Sequence, residues 1–100
     1  MAPSASPDRD LAVLDTPVPP TIARAMDLAS EGECSEAGQG VEAYTKEHPK
    51  EKASGAGWLE VARCHAKKGD TKAAREMAEK ALEIPAYESE ARALLATLPP

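Results

Sequence analysis

The sequence predicts an all-α fold, and three observations predict it. Small and apolar residues recur at i, i+3, i+4, i+7 in two consecutive stretches, Trp58, Val61, Ala62, His65 and then Ala74, Met77, Ala78, Ala81, so each presents one stripe to bury. Glycines and prolines fall at helix-length intervals, at Gly32, Pro49, Gly69 and Pro85. No run alternates polar with β-branched apolar residues, as a half-buried strand requires.

Residues 1–18 form the first segment. Pro3, Pro7 and Pro17, with Pro19 and Pro20 just beyond, fix φ and remove donors, so an extended or disordered tail or linker is expected here. The opening Met-Ala-Pro-Ser-Ala-Ser-Pro reads as the start of a piece cut from a longer protein. Leu11, Ala12, Val13 and Leu14 make an apolar island within the tail. It reads as a strap for an apolar groove or as a scrap of linker, and both readings stand.

The helical domain is expected over residues 19–98. Helix one starts at the Pro19-Pro20 pair, where proline is tolerated, and stops at Gly32, with Ile22, Ala25, Met26 and Ala29 as its stripe. Helix two opens at Cys34 and Ser35, with Ser35 the expected cap, and ends at His48-Pro49, with Ala37, Val41 and Tyr44 facing inward. Gly38 and Gly40 lie inside it at a cost of about 1 kcal/mol each relative to Ala, so the first hairpin is expected to be the softer. Ser54, Gly55 and Gly57 predict a loose connection over residues 50–57. The Trp58 helix follows, turns at Gly69-Asp70 into the Ala74 helix, and ends at Pro85. A last helix over residues 87–98 carries Ala91, Leu94, Leu95 and Leu98 on one stripe, with Glu88 and Glu90 where the helix dipole favours acids.

The stretch from Trp58 to Pro85 resembles a tetratricopeptide repeat. Trp58 takes the aromatic start, Ala62 the small position, His65 the ring position, Ala74 and Ala81 the close-contact positions of the second helix, and Pro85 the closing proline. Val61, Ala62 and Ala78 depart from the usual Leu, Gly and large aromatic. Residues 31–49 read as a weaker copy, with Gly32 answering Gly69 and Ala37 answering Ala74. The resemblance implies two helical hairpins and a C-terminal capping helix, a fragment of a right-handed α-solenoid. It implies a concave peptide-binding face lined by Ile22 and Met26 from helix one and by Leu59, Arg63 and Lys67 from the third helix. That set suits a protein or peptide partner with an apolar anchor and an acidic group. The paired Lys and Asn of a carboxylate clamp are not matched. Cys34 and Cys64 are the only cysteines, and the repeat alignment together with antiparallel packing brings them near each other. They read as a disulfide, which implies an oxidising, periplasmic or extracytoplasmic compartment, or as two reduced thiols in the cytoplasm.

Charge and chemistry narrow the function. A net charge of −5 argues against a general nucleic-acid binder, which needs a basic face. Nine acids against three bases over residues 1–47, and six bases against three acids over residues 63–80, read as binding polarity or as solvated faces with pairs such as Lys72 to Glu76 and Arg75 to Glu79. No segment is apolar enough to span a membrane, and the N-terminus lacks the pattern of a signal peptide. Cys64 and His65 are adjacent on a helix and point about 100° apart, which disfavours both a zinc site with Cys34 and His48 and a Cys/His nucleophile. Ser54, Gly55, Ala56 and Gly57 have the glycines of a phosphate loop without its strand or its Lys-Ser/Thr. The expectation is a non-catalytic adaptor that binds protein or peptide in a bacterial-style assembly, without cofactor. The alternative is a structural module that self-associates through the apolar ends of a short stack.

Overall fold

A computed structural model describes residues 18–99. Among them the chain forms five α-helices and a single 3-10 turn, with no strand. The helices are α1 (Pro20–Ser30), α2 (Cys34–Glu47), α3 (Lys52–Lys67), α4 (Thr71–Leu82) and α5 (Glu88–Thr97), with the 3-10 turn at Pro85–Tyr87. The all-α expectation holds. The island at residues 11–14 lies outside the described residues. Val18 packs, half-buried, against the core, so the packed unit begins just before the expected boundary at residue 19.

Helices α1 and α2 form one antiparallel hairpin and α3 and α4 another. Both turn through the same corner. Gly32 has φ 88° and Gly69 φ 83°, a left-handed conformation in which a side chain is strained. At the first corner the Glu33 amide donates to the Leu28 carbonyl and Gly32 to Ala29; at the second Asp70 donates to His65 and Gly69 to Ala66. This is the Schellman pattern twice, 37 residues apart. The same offset pairs Ile22 with Leu59, Ala25 with Ala62, Ala37 with Ala74 and Val41 with Ala78, all of them buried. The two hairpins thus use one arrangement of stripe and corner.

The core runs between the hairpins and is made mostly of small residues, with Ile22, Val41, Trp58, Leu59, Val61 and Ile84 supplying the bulk. Helix α3 is central. It packs on α1, α2 and α4, while α5 lies on α4 and meets α3 through the 3-10 turn. Gly55 and Tyr87 touch there so closely that a Cβ on the glycine would stand 2.5 Å from Tyr87 Cδ2.

Three local expectations are corrected. Residues 50–57 are not a loose connection, because α3 already begins at Lys52 and buries Ser54, Gly55 and Gly57. The glycines are contact points rather than breaks, and the Ser54 hydroxyl is satisfied by donating to the His48 carbonyl at 3.0 Å. Ser35 is not the cap of α2. Glu33 holds that place with no side-chain cap bond, whereas Asp70 caps α4 by accepting from the Ala73 amide at 3.2 Å. The pairs Lys72 to Glu76 and Arg75 to Glu79 do not form; Arg75 reaches the Pro99 carbonyl at 2.5 Å, and the i,i+4 ion pair that does form joins Arg92 and Glu88.

Candidate functional site

The cysteines are joined. Cys34 Sγ and Cys64 Sγ form a disulfide, with the two Cα atoms 5.6 Å apart. It fastens the first residue of α2 to the last third of α3, as the antiparallel packing of two hairpins dictates. Both sulfurs are therefore occupied by each other, and neither is free to hold a metal.

The same packing opens a groove. Helices α2 and α4 both lie on α3 and hardly touch one another, so a furrow runs between them with α3 as its floor. Three adjoining hollows of about 240, 330 and 420 Å³ fill its length and share Glu42, Trp58 and Lys80, then Cys34, Ser35, His65 and Asp70. Trp58 and His65 come from the floor. Gly38, Gln39, Glu42, Thr45 and Lys46 form the α2 wall, and Ala73, Met77 and Lys80 form the α4 wall, with Glu83 just past its end.

Each end has its own chemistry. At the corner end Glu33, Glu36 and Asp70 stand around Lys68 and His65, with His65 Nδ1 4.0 Å from Asp70 Oδ2. In the middle, Lys80 Nζ sits 5.2 Å from the centroid of the Trp58 ring, and the indole is only 3% exposed. A cation over an indole face is attracted by the ring quadrupole, so Lys80 serves as a polar cover on an apolar floor. Met77 continues that apolar surface. At the far end the groove closes on Pro49 and Ile84. Just outside it, the Tyr44 hydroxyl donates to Glu51 Oε1 at 2.8 Å and the Tyr44 ring stacks on His48 with centroids 4.3 Å apart. Partial burial, then the hydrogen bond to Glu51 and its charge, hold the Tyr44 phenol above its ordinary value of 10.0.

None of the five residues expected to bind peptide lines this groove. Ile22 and Leu59, at 0% and 1% exposed, are core residues, buried because α1 and α3 pack side by side. Met26 is half-buried, and Arg63 and Lys67 are exposed. Arg63 is shared between Glu60 at 3.6 Å and Glu90 at 3.8 Å, so part of its charge is answered within the chain. Nothing in the sequence marks the groove strongly, because its walls are the outward sides of α2 and α4, which have the pattern of plain solvated faces. A faint signal exists in Ser35, Gly38, Gln39 and Glu42, whose helical spacing puts short and polar groups on one line.

Compared with protein-family models, with curated proteins and with solved structures, the chain matches none. No described helix is long and apolar enough to cross a membrane.

Proposed function

We propose that this chain is a non-catalytic protein- or peptide-binding module, an adaptor of tetratricopeptide type within a larger assembly. The observation that carries the reading is the open groove between α2 and α4, with the Trp58 indole in its floor and Lys80 over that ring. A ligand that displaces Lys80 gains an aromatic platform beside Met77 while polar groups on both walls fix its direction, the usual division of labour in a peptide site. Glu33, Glu36, Glu42, Asp70 and Glu83 outnumber Lys46, Lys68 and Lys80 along the lining, so the fitting ligand sets an apolar side chain next to a basic one. An acidic partner belongs instead to the face of Arg63 and Lys67, where Glu60 and Glu90 already compete for the arginine. The same balance of charge disfavours nucleic acid, and the disulfide favours an oxidising compartment.

Trp58 is the only tryptophan, so its emission reports on the groove. Titration with peptides carrying Leu or Ile beside Lys or Arg, against Asp and Glu versions, is expected to give a saturable change for the basic set that Glu42→Lys abolishes. Equal response to both sets, or retention in Glu42→Lys with loss in Arg63→Glu plus Lys67→Glu, would move the site to the α1 and α3 face.

A second reading has its own observation. Leu94 and Leu95 on α5, and Leu98 just past its end, remain half-exposed, and a second copy would cover them. Light scattering after size exclusion decides it: a mass that stays at one chain across concentrations excludes self-association.

A further inference from the structure

The two ends of α2 are fastened to the rest of the molecule by different means. At its C-terminal end the hold is dense: Val41 lies against Gly57, Tyr44 bonds to Glu51, and the Ser54 hydroxyl reaches the His48 carbonyl. At its N-terminal end the hold is the Cys34–Cys64 bond together with the small side chain of Ala37, which is fully buried, and a Cβ built on Gly38 would meet Val61 Cγ1 at only an ordinary 3.6 Å. Between the two ends lie Gly38 and Gly40, which weaken the helix where the fastening changes character. Neither glycine is required by space, since a Cβ on Gly40 would meet Ala25 Cβ at 3.6 Å, an ordinary contact. The first turn of α2 also lacks a side-chain cap.

We propose that the Cys34–Cys64 bond is a redox clasp on the corner between α1 and α2, with Gly38 and Gly40 as the hinge. A dithiol reductant exchanges with the bond: the protein S–S breaks, two electrons and two protons pass to Cys34 and Cys64 as thiols, and the reductant leaves as its own disulfide. Cys34 lines the groove with 5% of its surface exposed and Cys64 is buried likewise, so the reductant meets the bond from the groove side as the corner breathes. Once the clasp is open, the segment from the last turn of α1 through Gly40 loosens and widens the corner end of the groove, while the Trp58 end stays shut. The proposal does not depend on what the groove binds, and its readout is the protein itself.

Amide hydrogen exchange on the full chain, oxidised and in excess dithiothreitol, tests it. Exchange over residues 26–40 is expected to rise on the order of a hundred-fold on reduction, the scale set by losing a cross-link over a loop of 30 residues. Residues 41–47 and 55–82 are expected to rise only as far as the fall in global stability requires, with exchange that accelerates steeply in denaturant, whereas the reduced corner exchanges through a smaller opening that denaturant hardly affects, and reoxidation restores the first state. Gly38→Ala with Gly40→Ala, which the neighbours leave room for, stiffens the hinge and is expected to cut the reduced-state exchange of the corner by roughly 25-fold, about fivefold per glycine. Unchanged exchange at the corner on reduction overturns the clasp. Corner amides that exchange in the reduced protein with the same denaturant dependence as residues 55–82 overturn it as well, because the bond then holds the fold rather than a corner. A normal response to reduction in the double alanine variant overturns the hinge.

Discussion

Val41 and Gly57 lie so close that a Cβ on the glycine would stand 2.8 Å from Val41 Cγ2 and 3.1 Å from Cγ1, with Ile22 Cδ1 at 3.3 Å. This is where α2 and α1 press on the central helix, and it places the only indole beside the groove. Gly57→Ala should gain about 1 kcal/mol in helix propensity and lose about 2–3 kcal/mol to overpacking, since 2.8 Å is closer than real Cβ contacts come, a net destabilisation of about 1–2 kcal/mol. For a domain of this size that lowers Tm by roughly 4–8 °C per kcal/mol, measurable by thermal melting. Adding Val41→Ala to Gly57→Ala should recover part of the loss, since the shortened side chain vacates the contested space. A double variant no better than the sum of the singles would refute the contact.

The two corners support a like-for-like comparison. Gly69 has φ 83° with nothing within 4 Å of an added Cβ, so Gly69→Ala has only the backbone to strain, at about 1–2 kcal/mol. Gly32 has φ 88° and its added Cβ would touch Lys68 Cε at 3.4 Å, the mobile end of a long side chain. Gly32→Ala should therefore cost the same within about 0.5 kcal/mol in denaturant melts. A large difference between them would show that the corners are not equivalent.

These corners were legible in the sequence, and the reason is local. A Gly followed by an acidic residue after an apolar stripe states both where a helix ends and how the chain leaves it. The Cys34 and Cys64 pairing was legible as one of two alternatives, because the hairpin offset puts the start of one helix beside the end of another. What was misread is also physical. Gly55 and Gly57 break a helix by propensity alone, yet here their missing side chains admit Tyr87 and Val41, and packing outweighs propensity. The tetratricopeptide resemblance puts Ile22 and Leu59 on a binding face, because it carries over positions without saying how far a neighbouring helix covers them. The groove depends on α2 and α4 standing apart, a property of three helices at once that no single stretch records.

Removal of the disulfide should be costly for a chain with so few large core side chains. Replacing Cys34 and Cys64 together by Ser frees a loop of 30 residues and should reduce stability by about 3–4 kcal/mol in the chain-entropy account. Denaturant unfolding of oxidised protein, reduced protein and the double variant gives the measurement. The last two should agree within about 1 kcal/mol. A loss under 1 kcal/mol in both would mean that the unfolded reduced chain already keeps the two ends of the loop close, so that the bond removes little entropy from it.

Alkaline pH should reach the structure through Tyr44. Its phenol is held above the ordinary value, first by burial and then by the hydrogen bond it donates to Glu51 and by the charge of that carboxylate. A raised folded-state value means that the folded chain holds this proton more tightly than the unfolded chain does. The contribution is therefore complete below the unfolded value near 10.0 and is lost as pH climbs from there through the folded value. Tyr87 is raised in the same direction, by burial and then by the charge of Glu90, so the wild-type slope has two sources. Stability measured against pH should be insensitive to Tyr44→Phe at neutral pH except for a constant offset from the lost hydrogen bond. Above about pH 10 the wild type should fall more steeply than Tyr44→Phe, and Glu51→Gln should flatten the curve partway, because the amide still accepts the bond but removes the charge. Parallel curves for wild type and Tyr44→Phe would show that the phenol at the foot of α2 ionises without cost to the fold.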